Sequence, residues 1–138
     1  MAETQAIYYR DENGIEPVDD FIEDLDPKLA AKIDGFVEEH LNGRSPDAPP
    51  PEHPISSQIE GELRELRVRF AKTRYRVLYQ RSGNLFVLLH AFEKHTGAVP
   101  KADKELAKRR MADFKKRMDA DPRMPPRAAG TDAPGSRD

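Results

Sequence analysis

The first third of the chain repeats its apolar residues with the spacing of amphipathic helices. After a short strand predicted at residues 6–10, Pro17 suits the first position of a helix. Apolar residues follow it at i, i+3, i+4 and i+7: Val18, Phe21, Ile22 and Leu25. The pair Asp26-Pro27 predicts the start of a second helix, which Asn42-Gly43 ends. We therefore expect two antiparallel helices joined by a short corner.

The period of the pattern changes after a proline-rich stretch at residues 45–54, where five prolines in ten residues predict an extended surface connection. Apolar and polar residues then alternate, as in β-strands, over residues 66–70 and 74–79. Residues 85–92 are apolar on both faces, which is typical of a central strand. Together these segments predict an antiparallel meander of three strands. A closing helix with a Lys/Arg-rich outer face is predicted beyond Pro100.

The predicted architecture is an α+β fold with the order β-α-α-β-β-β-α. In this arrangement a helical hairpin packs on one face of a small, mainly antiparallel sheet. We expect the helices to leave the other face of the sheet open. The domain is predicted to span residues 1–118. Residues 119–138 are rich in Pro and Gly with few apolar side chains, and we expect them to form a disordered tail.

The amino-acid composition excludes several kinds of chemistry. The 138 residues suffice for one domain, and the absence of Cys excludes disulfides, thiolate zinc sites and Cys nucleophiles. No apolar run is long enough to span a membrane and the N-terminus lacks the layout of a signal peptide, so we expect a soluble, cytoplasmic domain. No metal-binding or nucleotide-binding motif occurs. The sequence thus indicates no metal and no cofactor, and side chains alone would carry out any phosphoryl chemistry.

The formal net charge of −2 hides a strong asymmetry between the two halves of the chain. Residues 1–60 carry 15 acidic residues against 4 Lys and Arg, whereas residues 61–118 carry 16 Lys and Arg against 6 acidic residues. This asymmetry indicates a polyanionic partner for the basic half. The alternative is that the two halves face each other and compensate internally.

Five arginines are concentrated on two strands that are predicted to be neighbours: Arg64, Arg67, Arg69, Arg74 and Arg76. Alternation places Arg67 with Arg69 on one face of the first strand, and Arg74 with Arg76 on one face of the second. If those faces coincide, four guanidinium groups line one surface, and guanidinium binds phosphate oxygens in bidentate fashion. The alternative is cross-strand pairing with carboxylates, for which the candidates are Glu62, Glu65 and Glu93.

Three further side chains of the basic half are candidates for chemistry. His95 lies just past the last predicted strand beside Lys94, where a histidine can act as general acid or base near neutral pH. For His90, within that strand, a role in the core is the alternative to catalysis. Tyr79 is a candidate for stacking on a base or donating its phenol proton, and plain core packing is its alternative.

Three segments resemble the toxins of the RelE/ParE superfamily: residues 65–67 (Glu-Leu-Arg), 75–79 (Tyr-Arg-Val-Leu-Tyr) and 88–94 (Leu-Leu-His-Ala-Phe-Glu-Lys), followed by Pro100. The similarity covers roughly residues 5–118, and within the superfamily the chain resembles the phage-type HigB branch of type II toxin–antitoxin systems. The resemblance implies a metal-independent, ribosome-dependent mRNA endoribonuclease. In such an enzyme a 2′-hydroxyl attacks the adjacent phosphate, and an antitoxin holds the toxin inactive.

The resemblance also assigns roles to individual residues. Arg67 and Arg76 match the strand residues that bind and stabilise the scissile phosphate, and Lys94 matches a lysine that follows the last strand. His95 stands where this branch more often has a second lysine, and Ala98 replaces another. The predicted catalytic residues are Arg67, Arg76, Lys94 and His95. The predicted substrate-binding residues are Arg64, Arg69, Arg74 and Tyr79.

Two other functions stay open from the sequence: a ParE-like toxin that inhibits gyrase without nuclease activity, and a non-toxic module that binds RNA or protein. The expected partners of the nuclease are mRNA on the ribosome and a cognate helix-turn-helix antitoxin, with which it would form a hetero-oligomer. A cationic sheet face suits an acidic amphipathic antitoxin segment that folds on binding.

Overall fold

The computed structural model describes residues 3–94, 98–120 and 128–130, and the side chains of all of these except residues 119 and 120. The described residues contain three helices and five strands. In chain order these are β1 (Gln5–Tyr8), α1 (Pro17–Glu23), α2 (Pro27–His40), β2 (Ser56–Glu60), β3 (Leu63–Phe70), β4 (Thr73–Ser82), β5 (Leu85–Lys94) and α3 (Lys101–Ala120). None of these helices is both long and apolar enough to cross a bilayer.

All five strands belong to one mixed sheet with the order β1-β5-β4-β3-β2. β1 runs parallel to β5, and every other pair of neighbours is antiparallel. The predicted α+β class is therefore confirmed, but the chain has one strand more than predicted. β2 has a single apolar residue at Ile59, it lies at the edge of the sheet, and its pairing with β3 shifts register after Gln58. Alternation of apolar and polar residues is absent from such a strand, so the sequence pattern misses it.

The predicted helical hairpin forms where the sequence pattern places it. α2 begins at Pro27, and the side chain of Asp26 caps it by accepting a hydrogen bond from the backbone N–H of Lys28 at 2.9 Å. The apolar stripes of α1 and α2 pack on one face of the sheet, against inward residues such as Leu66, Val77 and Tyr79. This packing forms the larger of two core clusters.

Helix α3 packs on the opposite face of the sheet, so the expectation of an open second face is wrong. Its buried residues Ala107, Met111 and Phe114 form a second core cluster with the outward residues of the strands, among them Val87 and Leu89 of β5. β5 is apolar on both faces, and the α1–α2 hairpin covers only one of them. Burial of the other apolar face therefore requires α3.

The fold separates the two charged halves of the chain. The acidic α1–α2 layer lies on one face of the sheet and the basic helix α3 lies on the other. Polar contacts hold helix α3 to the sheet. They include a hydrogen bond between His90 Nε2 and Asp103 Oδ1 at 2.6 Å and an ion pair of Lys108 with Glu60. The molecule thus carries its acidic and basic layers on opposite sides of the sheet.

A short part of the predicted tail is ordered, so the prediction of disorder is wrong for residues 128–130. The backbone N–H of Ala129 donates to Ala6 O at 2.8 Å, and Ala129 O accepts from the side-chain amides of Asn42 (2.9 Å) and Gln5 (3.0 Å). Ala129 is buried against the α1–α2 core, and α3 itself continues to Ala120. The rest of the predicted tail lies outside the described residues.

Candidate active site on the α3 face of the sheet

The four predicted arginines of β3 and β4 project from the same face of the sheet. Leu66, Val68 and Val77 point into the α1–α2 core, so the residues that alternate with them point to the α3 face. The register pairs Arg67 with Arg76 and Arg69 with Arg74 across the two strands. Direct cross-strand partners lie side by side on one face. The arginine-bearing faces of the two strands therefore coincide, as the predicted guanidinium cluster requires.

Lys94 joins this cluster from the third strand. It is the cross-strand partner of Arg74 in the pairing of β4 with β5. We call the five side chains together the cationic surface: Arg67, Arg69, Arg74, Arg76 and Lys94. It occupies the end of the sheet at the β3–β4 turn, beyond the apolar area that α3 covers.

A buried carboxylate lies beneath the cationic surface. Glu65 is 3% exposed, and its Oε1 lies 3.0 Å from Arg67 Nε and 3.4 Å from Arg76 Nε. One carboxylate thus bridges two guanidinium groups. Cross-strand pairing, the alternative to an anion site, is thus realised for Glu65. Glu62, by contrast, accepts a hydrogen bond from Gln80 at 3.4 Å and lies away from the cluster.

The bridge leaves hydrogen-bonding capacity unused. Among the described residues, three of its buried atoms have no hydrogen-bond partner: Glu65 Oε2, Arg67 Nε and Arg76 Nε. The two close approaches to Oε1 are therefore ion pairs whose angles are poor for hydrogen bonding. The weak donor geometry and the single negative charge leave the two guanidinium groups able to bind another anion.

Mutual repulsion and burial shape the electrostatics of the site. Arg76 is 4% exposed, and this burial lowers its pKa, with Arg67 and Arg74 lowering it further while Glu65 opposes them. Burial also lowers the pKa of Lys94, followed by repulsion from Arg76. A phosphate placed here would relieve that repulsion because it adds the negative charge that the five cations lack.

Four of the five side chains of the cationic surface line a shallow depression of about 270 Å³, which Lys94 does not line. Arg67, Arg69, Arg74 and Arg76 line it, and His53 with Pro54 forms one edge. No sequence signal marks His53, which stands alone in the proline-rich connection; only the path of that connection brings it to the site. It is the one imidazole that the described residues place at the depression.

The remaining predicted site residues divide between three places. His95 lies outside the described residues. Arg64 and Tyr79 lie on the α1–α2 face, where Arg64 Nη2 donates to Pro51 O at 2.5 Å and the buried Tyr79 hydroxyl contacts Ser56 Oγ at 2.6 Å. The structure therefore does not place Arg64 and Tyr79 where they could bind the same phosphate as Arg67 and Arg76, because strand alternation turns them to the other side of the sheet. His90 pairs with Asp103 and stacks on Phe92, which corresponds to its structural alternative.

Taken together, the arrangement offers several cationic side chains to an anion such as a phosphate group. Two guanidinium groups lie side by side, two more flank them, and an amine approaches from the next strand. Within the described parts of the chain, no group of three or more His, Asp or Glu side chains is placed to hold a metal ion.

Comparison with known families identifies one family whose sequence model matches the chain. The sequence model of a family described as phage-derived protein Gp49-like (DUF891) matches residues 20–112. The chain belongs to the Gp49-like family. This is a RelE-like toxin family that is associated with toxin–antitoxin systems. The matched region runs from α1 into α3 and includes the whole cationic surface. No curated protein matches the chain.

Proposed function

We propose that this Gp49-like protein is the toxin of a type II toxin–antitoxin pair and a ribosome-dependent mRNA endoribonuclease of the phage-type HigB kind. The observation that carries the proposal is the cross-strand pair Arg67–Arg76, which share Glu65 and face the same depression. Guanidinium groups donate in a fork that fits the non-bridging oxygens of a phosphodiester.

The proposed reaction needs no metal. The ribose 2′-hydroxyl attacks the adjacent phosphorus, a new P–O bond forms, and the bond to the 5′-oxygen of the next nucleotide breaks. The products are a 2′,3′-cyclic phosphate and a free 5′-hydroxyl. Arg67 and Arg76 stabilise the charge that develops on the phosphorane oxygens, which is the largest contribution that fixed cations make to such a step.

The other cations have supporting roles in this proposal. Arg69 and Arg74 bind the phosphates that flank the scissile one, since they form the next cross-strand pair along the same face. Lys94 and His95 are the proposed donors and acceptors of protons. Burial and the neighbouring guanidinium groups lower the pKa of Lys94, which favours loss of its proton compared with an exposed lysine.

The same surface accounts for the proposed partners. We infer that a cognate helix-turn-helix antitoxin covers the cationic surface with an acidic segment in a cytoplasmic hetero-oligomer. The mRNA substrate on the ribosome would approach from the α3 side, because the acidic α1–α2 layer lies on the opposite face.

Induced expression of single variants tests the function. Arg67→Ala and Arg76→Ala should each abolish growth arrest and the mRNA cuts mapped by primer extension. The exposed α2 variant Lys28→Ala, on the opposite face of the sheet, should keep both. Full toxicity of both site variants would show that the catalytic assignment is wrong. Growth arrest with intact mRNA and blocked DNA supercoiling would instead support the ParE-like alternative, and harmless expression of the unaltered chain would support a binding module.

A further inference from the structure

A second cavity lies on the α1–α2 side of the sheet, away from the cationic surface. Its volume is about 220 Å³. It lies under the proline-rich connection and beside the β2–β3 turn, and the residues that define it here are Arg44, Ala48, Arg64, Tyr79, Arg81 and Phe86. We call it the proline-loop pocket.

Three arginines hold the roof of the proline-loop pocket in place. Proline has no N–H, so the segment offers its carbonyl oxygens instead. Arg64 donates to Pro51 O at 2.5 Å, Arg81 donates to Pro46 O at 2.8 Å, and Arg44 donates to Pro49 O. Anchored in this way at three points, the pocket is pre-formed, and a ligand need not order the loop to enter it.

The floor of the pocket is apolar. Tyr79 and Phe86 are buried and meet edge to face, with ring centroids 5.6 Å apart. The Tyr79 hydroxyl is already satisfied by Ser56. An apolar group that contacts Ala48 and the accessible edge of Phe86 would therefore leave no buried polar group of the floor unpaired.

The guanidinium groups in the lining give the pocket an excess of positive charge. Arg44, Arg64 and Arg81 bring three positive charges to its lining, against the single carboxylate of Glu62. Arg64 Nε is buried and has no hydrogen-bond partner among the described residues. The pocket thus combines an apolar floor, an excess of positive charge and one unused buried donor.

We propose that the proline-loop pocket binds an apolar group that carries one carboxylate. The carboxylate would pair with the guanidinium group of Arg64, and the apolar body would lie between Ala48 and the exposed edge of Phe86. The volume is below that of a typical drug-sized site, so the fitting ligand is small. Two sources share this chemistry: a free aromatic acid, and the apolar C-terminal residue of a peptide. This site is separate from the proposed nuclease surface and does not depend on it.

The probes are benzoate for a free acid, N-acetylphenylalanine for a peptide C-terminus and uncharged benzamide as the control. We expect benzoate to shift the amide signals of Ala48 and Gly61 in a titration followed by ¹H–¹⁵N NMR. A ligand of about nine heavy atoms at ordinary efficiency gives a Kd on the order of 1 mM. Benzamide should bind roughly tenfold more weakly, because it lacks the charge. The tighter of the two acids identifies the source.

Variants locate the binding. Ala48→Phe should fill the pocket and abolish the shifts, Arg64→Gln should reduce them to the level seen with benzamide, and Arg69→Gln on the other face should leave them unchanged. Unaltered amide dispersion away from the pocket shows that each variant is folded. The proposal is overturned if benzoate causes no shift at Ala48 and Gly61, if Ala48→Phe or Arg64→Gln binds it normally, or if the shifts map to the cationic surface.

Discussion

Replacement of Glu65 by Gln tests the buried bridge beneath the cationic surface. The change keeps the size of the side chain and removes its charge. Arg76 would then be 4% exposed beside Arg67 and Arg74, with no carboxylate to compensate it. Nothing else in the fold has to move, so the effect reports the charge alone.

The expected size follows from the distances. At an effective dielectric constant near 20, unit charges 3.0 and 3.4 Å apart attract by about 5 kcal/mol each. The cost of burying the three groups and the repulsion between the guanidinium groups offset much of this. Loss of one partner from a buried ion pair costs about 3–5 kcal/mol. Because the Arg67 side chain is 26% exposed and can reach water, we expect a loss of about 3 kcal/mol.

Urea unfolding followed by circular dichroism measures this loss. Glu62→Gln, at an exposed carboxylate of the same strand region, is the matched control and should change the free energy of unfolding by less than about 0.5 kcal/mol. Adding Arg76→Met to Glu65→Gln should restore stability, with a coupling energy of about 2 kcal/mol. A Glu65→Gln protein as stable as the unaltered chain, with no coupling to Arg76, would refute the bridge.

Three further predictions follow from other parts of the fold. The Tyr9 hydroxyl donates to an α3 carboxylate at 2.7 Å, and burial raises its pKa from 10.0 to about 12. The Tyr9 hydroxyl therefore gives its full stabilisation below pH 10 and loses it as the pH rises through 12. Over this range the free energy of unfolding of the unaltered chain should fall by roughly 2–3 kcal/mol, and this fall should be absent from pH titrations of Tyr9→Phe. Gly130 has φ +116°, and a Cβ there would lie 2.4 Å from Asn42 Nδ2. Gly130→Val should therefore release residues 128–130 from the core and expose the Ala129 amide to hydrogen exchange. For binding of single-stranded RNA, Arg69→Ala and Arg74→Ala should each reduce the slope of log Kd against log salt concentration by about 0.7. An unchanged slope would show that these arginines do not contact the RNA. A pH titration that is the same for Tyr9→Phe as for the unaltered chain, or an Ala129 amide that exchanges no faster in Gly130→Val, would contradict the other two predictions.

Much of the cationic surface could be predicted from the sequence because strand alternation is strictly periodic. Residues 71 and 72 make a two-residue turn, so the register of β3 with β4 pairs Arg67 with Arg76 without a shift. The helical hairpin was predictable for a similar reason, since its caps and apolar spacing are local signals.

The parts that failed depend on contacts between distant segments. β2 is too polar to show alternation, and the side on which α3 packs is decided by the two-faced β5 rather than by α3 itself. Glu65 lies close to Arg67 in sequence but far from Arg76, and only the cross-strand register shows that it pairs with both. His53 reaches the depression only through the path of the proline-rich connection.

Cleavage of mRNA in a purified translation complex tests the central claim most directly. The substrate is prepared in two forms, one all-ribose and one with a single 2′-deoxyribose on the 5′ side of the mapped cut. We predict that the all-ribose mRNA is cut to leave a 2′,3′-cyclic phosphate, that the 2′-deoxy form is not cut at that position, and that the Arg76→Ala protein cuts neither. Equal cutting of both forms, or cutting by Arg76→Ala at the normal rate, would contradict the account.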